Sequence, residues 1–319
     1  MNIMKTYLVG GSQKFLKKIR KVVDESGVED THIFISNEVT PQEAAENLSD
    51  CEILVASPSG FRYLSIDHME SMPKLKLITT TSVGTDWIDV TAARDRNIEV
   101  SNQKGVNSEA VAEHCFGLIL SLSKRITEAD RDMREKSAHD LSKYTGINLY
   151  GRTLGIIGLG DIGKRIARIA SGFSMRVVGT NKSQKKVQDV KIVSLESMLK
   201  VSDVIALAVP LTDDTENLLS TKEFSLMKDG AILVSISREK TIDKDAVLEA
   251  VSTGKISGFG FDAEIMVPIS KDDPWFQSDR IVVTPHSASV TEESEKGYAT
   301  MTAENIQAFL KGEPIRVVN

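Results

Sequence analysis

Short apolar runs alternate along the chain with longer stretches in which apolar positions recur every three or four residues. This rhythm predicts strands and helices in turn. Strands are expected at 5–9, 32–35, 53–56, 75–79 and 98–100, with helices at 15–24, 43–48 and 90–96. A longer helix at 109–126 is apolar along Val111, Cys115, Leu118, Ile119 and Leu122, a face suited to packing on another domain or subunit. The polar, charged stretch 128–144 is expected to separate it from the next unit. From Thr153 the rhythm restarts, with strands at 154–157, 175–178, 204–208, 231–236, 256–261 and 281–284. A final helix at 292–310 is ended by Gly312 and Pro314. Alternation of this kind predicts an α/β protein with parallel sheets, and 319 residues suit two domains.

Composition narrows the function classes. Lys and Arg total 39 against 45 Asp and Glu, a net charge of −6 that offers nothing to a nucleic-acid backbone. Cys51 and Cys115 are far apart and form no metal-ligand cluster, so buried thiols in a reducing compartment are expected. The opening MNIMKTYLVGG lacks the basic and apolar regions of a signal peptide, and no run of about 18 apolar residues occurs. The expected location is the cytoplasm, with no membrane partner.

The sharpest local signal is GLGDIG at 158–163, between a predicted strand and a predicted helix. Gly158 would permit the tight turn, Gly160 would let backbone amides approach a pyrophosphate, and Gly163 would let the helix lie close to the sheet. The amides of Asp161 and Ile162 at the helix N-terminus would face the anion. At the end of the next strand an NAD site usually places Asp or Glu on the ribose 2′-hydroxyl. Residues 179–186, GTNKSQKK, hold no acidic residue, and Asn181, Lys182, Ser183 and Lys185 could donate to a 2′-phosphate. NADP(H) is therefore favoured over NAD(H).

Ligands of open α/β sheets bind beyond the carboxyl ends of the strands. Arg238 follows one apolar strand, Asp262 terminates the next, and His286 follows the last through Pro285. Reduction of a 2-oxo acid needs a hydride at the carbonyl carbon and a proton at its oxygen. Histidine suits proton exchange near neutral pH, and a guanidinium fork suits an α-carboxylate. Backbone amides of Ser82, Val83 and Gly84 offer a second carboxylate anchor, and the turn containing Ser57 offers another wall.

These residues carry a resemblance to the D-isomer-specific 2-hydroxyacid dehydrogenase family over nearly the full length. SVGTDWIDVTAARDRNIEVSNQKGVNSEAVAEH at 82–114 resembles the family's stretch from substrate loop to interdomain helix. GRTLGIIGLGDIGKRIA resembles its cofactor fingerprint, PLTDDTENLLSTKEFSLMKDGAILVSISR the segment ending in its catalytic arginine, and TPHSAS the segment with its catalytic histidine. The resemblance implies two Rossmann-like or flavodoxin-like parallel-sheet domains with an active-site cleft between them. A substrate domain of 1–102, completed by 287–319, would flank a dinucleotide-binding domain of 103–286. It also implies cofactor contacts at Val209, Pro210, Ile236 and Asp262, and a homodimer to which the apolar face of 109–126 contributes. Arg238 and His286 take the catalytic roles on a small or medium 2-oxo acid.

Two departures stand out. The family's glutamate, five positions after the aspartate and followed by proline, is Val267 here, between Asp262 and Pro268. Valine cannot pair with the histidine or raise its pKa, which leaves Glu264, Asp262, an unassisted histidine or a lost activity. The last case would make the chain a dinucleotide-binding regulatory or scaffold protein on the same fold. The second departure is Glu239–Lys240, where the family follows its arginine with glycines.

Overall fold

Two units, each built on one parallel sheet, account for the alternation, and the computed structural model describes residues 3–136, 140–182, 186–262 and 270–319. The first unit comprises Met1–Asn107 and Val290–Asn319, and the second Ser108–Ser289. The first unit begins β1 (Thr6–Gly10), α1 (Gln13–Glu25), β2 (Thr31–Ile35), α2 (Pro41–Asn47) and β3 (Ile53–Ala56). It continues α3 (Ile66–Glu70), β4 (Leu77–Thr80), α4 (Val90–Asp95) and β5 (Glu99–Ser101). The strand order is β2-β1-β3-β4-β5. Every residue of β3 and β4 is buried, which is why these central strands are apolar throughout or, in β4, apolar and threonine. Helix α1 turns Leu16, Ile19 and Val23 to the sheet.

The second unit opens with α5 (Ser108–Ser123) and α6 (Ile126–Lys136), then β6 (Thr153–Ile157), α7 (Asp161–Gly172), β7 (Arg176–Thr180) and β8 (Lys191–Ile192). After α8 (Leu195–Val201) come β9 (Val204–Leu207), α9 (Thr221–Leu226), β10 (Ala231–Ser235), α10 (Lys244–Ser252), β11 (Ile256–Asp262) and β12 (Ile281–Thr284). The chain then returns to the first unit as α11 (Glu292–Leu310), whose Ala299, Ala303 and Ile306 share a core with α1. The second sheet runs β12-β11-β10-β9-β6-β7-β8, so the chain order reverses between β6 and β9. Loops after all these strands leave from one edge, and the reversal opens a crevice there.

The structure corrects three expectations. The helix expected at 109–126 ends at Ser123, because Arg125 takes a left-handed φ of 54° and its guanidinium turns to Glu128. The stretch expected as a polar separator is largely the helix α6 followed by a short turn at Leu141–Tyr144, and Lys143 and Tyr144 both bond Asp132. Charged pairs such as Asp130–Arg134 support a helix without an apolar stripe, so polarity there did not mean loop. Finally, the apolar side of α5 is covered within its own unit. Leu118 and Leu122 lie where a side chain on Gly258 or Gly260 of β11 would have to go, so that face is not free for a partner. The short edge strand β8 and the one-turn α3 were not anticipated. Among the described residues no helix is long and apolar enough to cross a membrane.

Candidate active site

The cradle is built where the sheet reverses. Gly158 has φ 94°, and a Cβ there would lie 2.4 Å from the Ala208 carbonyl oxygen beyond β9. A Cβ on Gly163 would lie 2.0 Å from the Gly158 carbonyl oxygen, so α7 meets the turn backbone to backbone. Gly160 differs, since a Cβ there would meet nothing within 4 Å. Internal packing therefore does not require this glycine, although a backbone approached by a pyrophosphate does. Gly160 is also the N-cap of α7, and no side chain caps the helix. Open space over uncapped amides at Asp161, Ile162 and Gly163 fits a dinucleotide phosphate. Val209 beside it is held by its amide on the Ser237 hydroxyl, the Pro210 carbonyl accepts from Thr215, and the Ile236 amide bonds Leu207.

Beyond β7, the Lys182 ammonium bonds the Asp214 carboxylate at 2.7 Å, with both groups well exposed. Their mutual hydrogen bond raises the lysine pKa and lowers that of the aspartate. Asn181 follows the same strand, while Ser183 and Lys185 lie outside the described residues.

Arg238, half-buried, starts a short turn in which its carbonyl accepts from the amide and hydroxyl of Thr241. Desolvation raises the pKa of the adjacent Glu239. A cavity of about 10 Å³ lies among Arg238, Glu239, Asp262 and Trp275, too small for an organic acid and thus a packing gap under the strand ends. Asp262 closes β11 with its carboxylate on its own unit. Oδ1 accepts from the Thr284 hydroxyl at 2.7 Å and the Ser287 amide at 2.9 Å, and Oδ2 accepts from the Ala288 amide at 2.9 Å. His286 lies inside that bracket, exposed, with φ 51° and its amide bonded to the Thr284 carbonyl. From α5, His114 Nε2 reaches the Thr284 hydroxyl at 2.8 Å. Glu264, Val267 and Pro268 lie outside the described residues.

The first unit orders its own loop beyond β4. The Trp87 indole donates to the Ser82 hydroxyl and the Gly84 carbonyl, Asn102 donates to the Val83 carbonyl, and the Gln103 amide donates to the Ser82 carbonyl. All three carbonyls are thereby occupied. The Ser82 amide meets Thr80, whereas those of Val83 and Gly84 find no acceptor among the described residues. Ser57 is buried at the end of β3 with its hydroxyl on Ser59, and Gly60 packs against Gly10. Sequence reasoning missed Trp87, Asn102, His114 and Asp214. Of these only His114, a polar residue on an apolar helix, carried a local signal.

Comparison with known proteins identifies the family. Residues 116–288 match the model of the D-isomer specific 2-hydroxyacid dehydrogenase, NAD binding domain. A glyoxylate reductase of Korarchaeum cryptofilum is 38% identical over 282 residues, 86% of this chain and 84% of that enzyme. An acyclic imino acid reductase solved with NADPH and D-arginine superposes with a TM-score of 0.88 at 30% identity, covering 99% of this chain and 100% of that one. A D-lactate dehydrogenase of Aquifex aeolicus solved with NAD and lactic acid gives 0.85 at 28% identity, covering 97% and 96%. The chain belongs to the D-isomer-specific 2-hydroxyacid dehydrogenase family and is an NAD(P)-dependent enzyme of that class.

Proposed function

We propose that the protein reduces a small or medium 2-oxo acid to the D-2-hydroxy acid and prefers NADP(H) to NAD(H). The observation that carries this reading is the placing of Arg238 and His286 beyond β10 and β12, on either side of Asp262, along the sheet edge that holds the glycine cradle. The glyoxylate reductase relatives favour a small acid.

The nicotinamide cofactor, when bound, supplies the hydride for the carbonyl carbon. Gly158, Gly160 and Gly163, with the amides of Asp161 and Ile162, would hold its pyrophosphate, and Val209, Pro210, Ile236 and Asp262 would line the rest of its path along the strand ends. Asn181 and Lys182, with Ser183 and Lys185, favour a 2′-phosphate, because 179–186 contains no carboxylate to repel one. Asp214 opposes this by holding Lys182. Arg238 grips the substrate carboxylate and polarises the carbonyl, and His286 gives the carbonyl oxygen its proton. In the first unit, the substrate unit of this reading, the Val83 and Gly84 amides are offered to a carboxylate, while Ser82 and Ser57 order their own loops. A cytoplasmic homodimer completes the proposal. Met133, Leu141 and Tyr150 are each exposed and are candidate contacts for it, since the apolar side of α5 is covered.

Cofactor oxidation by the purified protein, followed with NADPH and NADH against glyoxylate, hydroxypyruvate and bulkier 2-oxo acids, tests the reading. Turnover with a higher kcat/KM for NADPH is expected. Tight NADPH binding with no acid reduced would overturn it in favour of a dinucleotide-binding regulator, the alternative that Val267 motivates.

A further inference from the structure

His286 holds a backbone conformation that a side chain other than glycine adopts at some cost, and such conformations persist only where the surroundings fix them. The surroundings here are one carboxylate. Asp262, buried at the end of β11, takes hydrogen bonds from Thr284 on one side of His286 and from Ser287 and Ala288 on the other. A hydroxyl has a single hydrogen, and Thr284 gives its own to Asp262. The 2.8 Å contact between Thr284 Oγ1 and His114 Nε2 then requires the imidazole to be the donor. His114 is half-buried on α5, which packs on β10, β11 and β12, so the N–H is delivered from a rigid element. Its Nε2 also lies 3.9 Å from Asp262 Oδ1, a favourable distance whenever the ring is charged.

We propose that His114 is a positioning residue for the proton transfer. Its Nε2–H fixes the Thr284 hydroxyl toward Asp262, and Asp262 then holds 284–288 so that His286 meets the substrate oxygen. The inference rests on the reading of His286 as the proton donor. A valine side chain at 267, where the resemblance places the family's glutamate, has no hydrogen bond to give an imidazole, so main-chain placement of His286 gains weight.

The test uses the full chain with His114→Phe, which keeps a ring and removes the donor, and His114→Gln, which returns an N–H at similar reach. Thr284→Val deletes the same bond from the other side, together with the one from Thr284 to Asp262. Exchange of the Ser287 and Ala288 amides, read without cofactor, should quicken about tenfold in His114→Phe and Thr284→Val and stay near wild type in His114→Gln. With glyoxylate and NADPH, kcat should fall about 10- to 100-fold in the first two at little-changed KM and cofactor affinity, with glutamine recovering most of the loss. Adding His114→Phe to Thr284→Val should cost nothing further, because that variant already lacks the hydroxyl to which His114 donates. Unchanged exchange, equal losses in the Phe and Gln variants, or additive losses would overturn the proposal. A wild-type protein that reduces no 2-oxo acid would instead defeat the functional reading beneath it, and the exchange measurement would still decide whether His114 holds the loop.

Discussion

Each unit begins its sheet with a strand, a glycine-containing turn and a helix, yet the two turns are finished differently. After β1, the space beside Gly10 is filled by Ser57, that beside Gly11 by Asn37, and the hydroxyl of Ser12 caps α1 by accepting from the Phe15 amide. After β6, Gly160 faces open space and α7 has no side-chain cap. The first turn satisfies its helix with a side chain, whereas the second leaves its amides without a side-chain cap. A glycine-rich turn is thus informative about binding only where some of its glycines are not explained by their own neighbours.

Substitutions can break this contrast or sharpen it. The largest effect is expected from Gly163→Ala, whose Cβ would press on the Gly158 carbonyl. A loss on the order of 3 kcal/mol in chemical denaturation, with loss of NADPH binding, should follow. Gly160→Ser would give α7 the kind of cap α1 already has. Cofactor affinity should drop about tenfold by calorimetry while thermal stability holds or rises by a few tenths of a kcal/mol. Undiminished affinity would show that the open turn is not the phosphate site. Ser12→Ala is the counterpart in the first unit, with stability falling by about 1 kcal/mol and cofactor affinity unchanged. The smallest effect belongs to Asp214→Asn, which releases Lys182 from an exposed pair. The ratio of kcat/KM for NADPH over NADH should rise about threefold, and no change would remove Lys182 from the selector.

Much of the fold was legible because its central strands are buried on both faces and announce themselves as apolar runs, as Ile53–Ala56 and Val204–Leu207 did. Helix α6 was illegible for the opposite reason, since ion pairs and a buried Asp132 hold it where an apolar stripe was sought. The candidate site shows the same division. Arg238, Asp262 and His286 could be placed at strand ends from local pattern alone. The bonds that organise them join partners distant in sequence, His114 with Thr284 and Lys182 with Asp214, and no local window contains both ends. The direction of the apolar side of α5 was similarly hidden, because a helix apolar on most sides gives the same pattern whether a sheet or a second subunit covers it.

The return of α11 to the first unit bears on how the chain is made. Leu16, Ile19 and Val23 of α1 find Ala299, Ala303 and Ile306 only after the whole second unit has been synthesised. The second unit is continuous from Ser108 to Ser289 and can close its sheet on the ribosome. The first must wait with the part of its core that α11 covers still open, which makes it the part of a nascent or truncated chain that chaperones and proteases should find first.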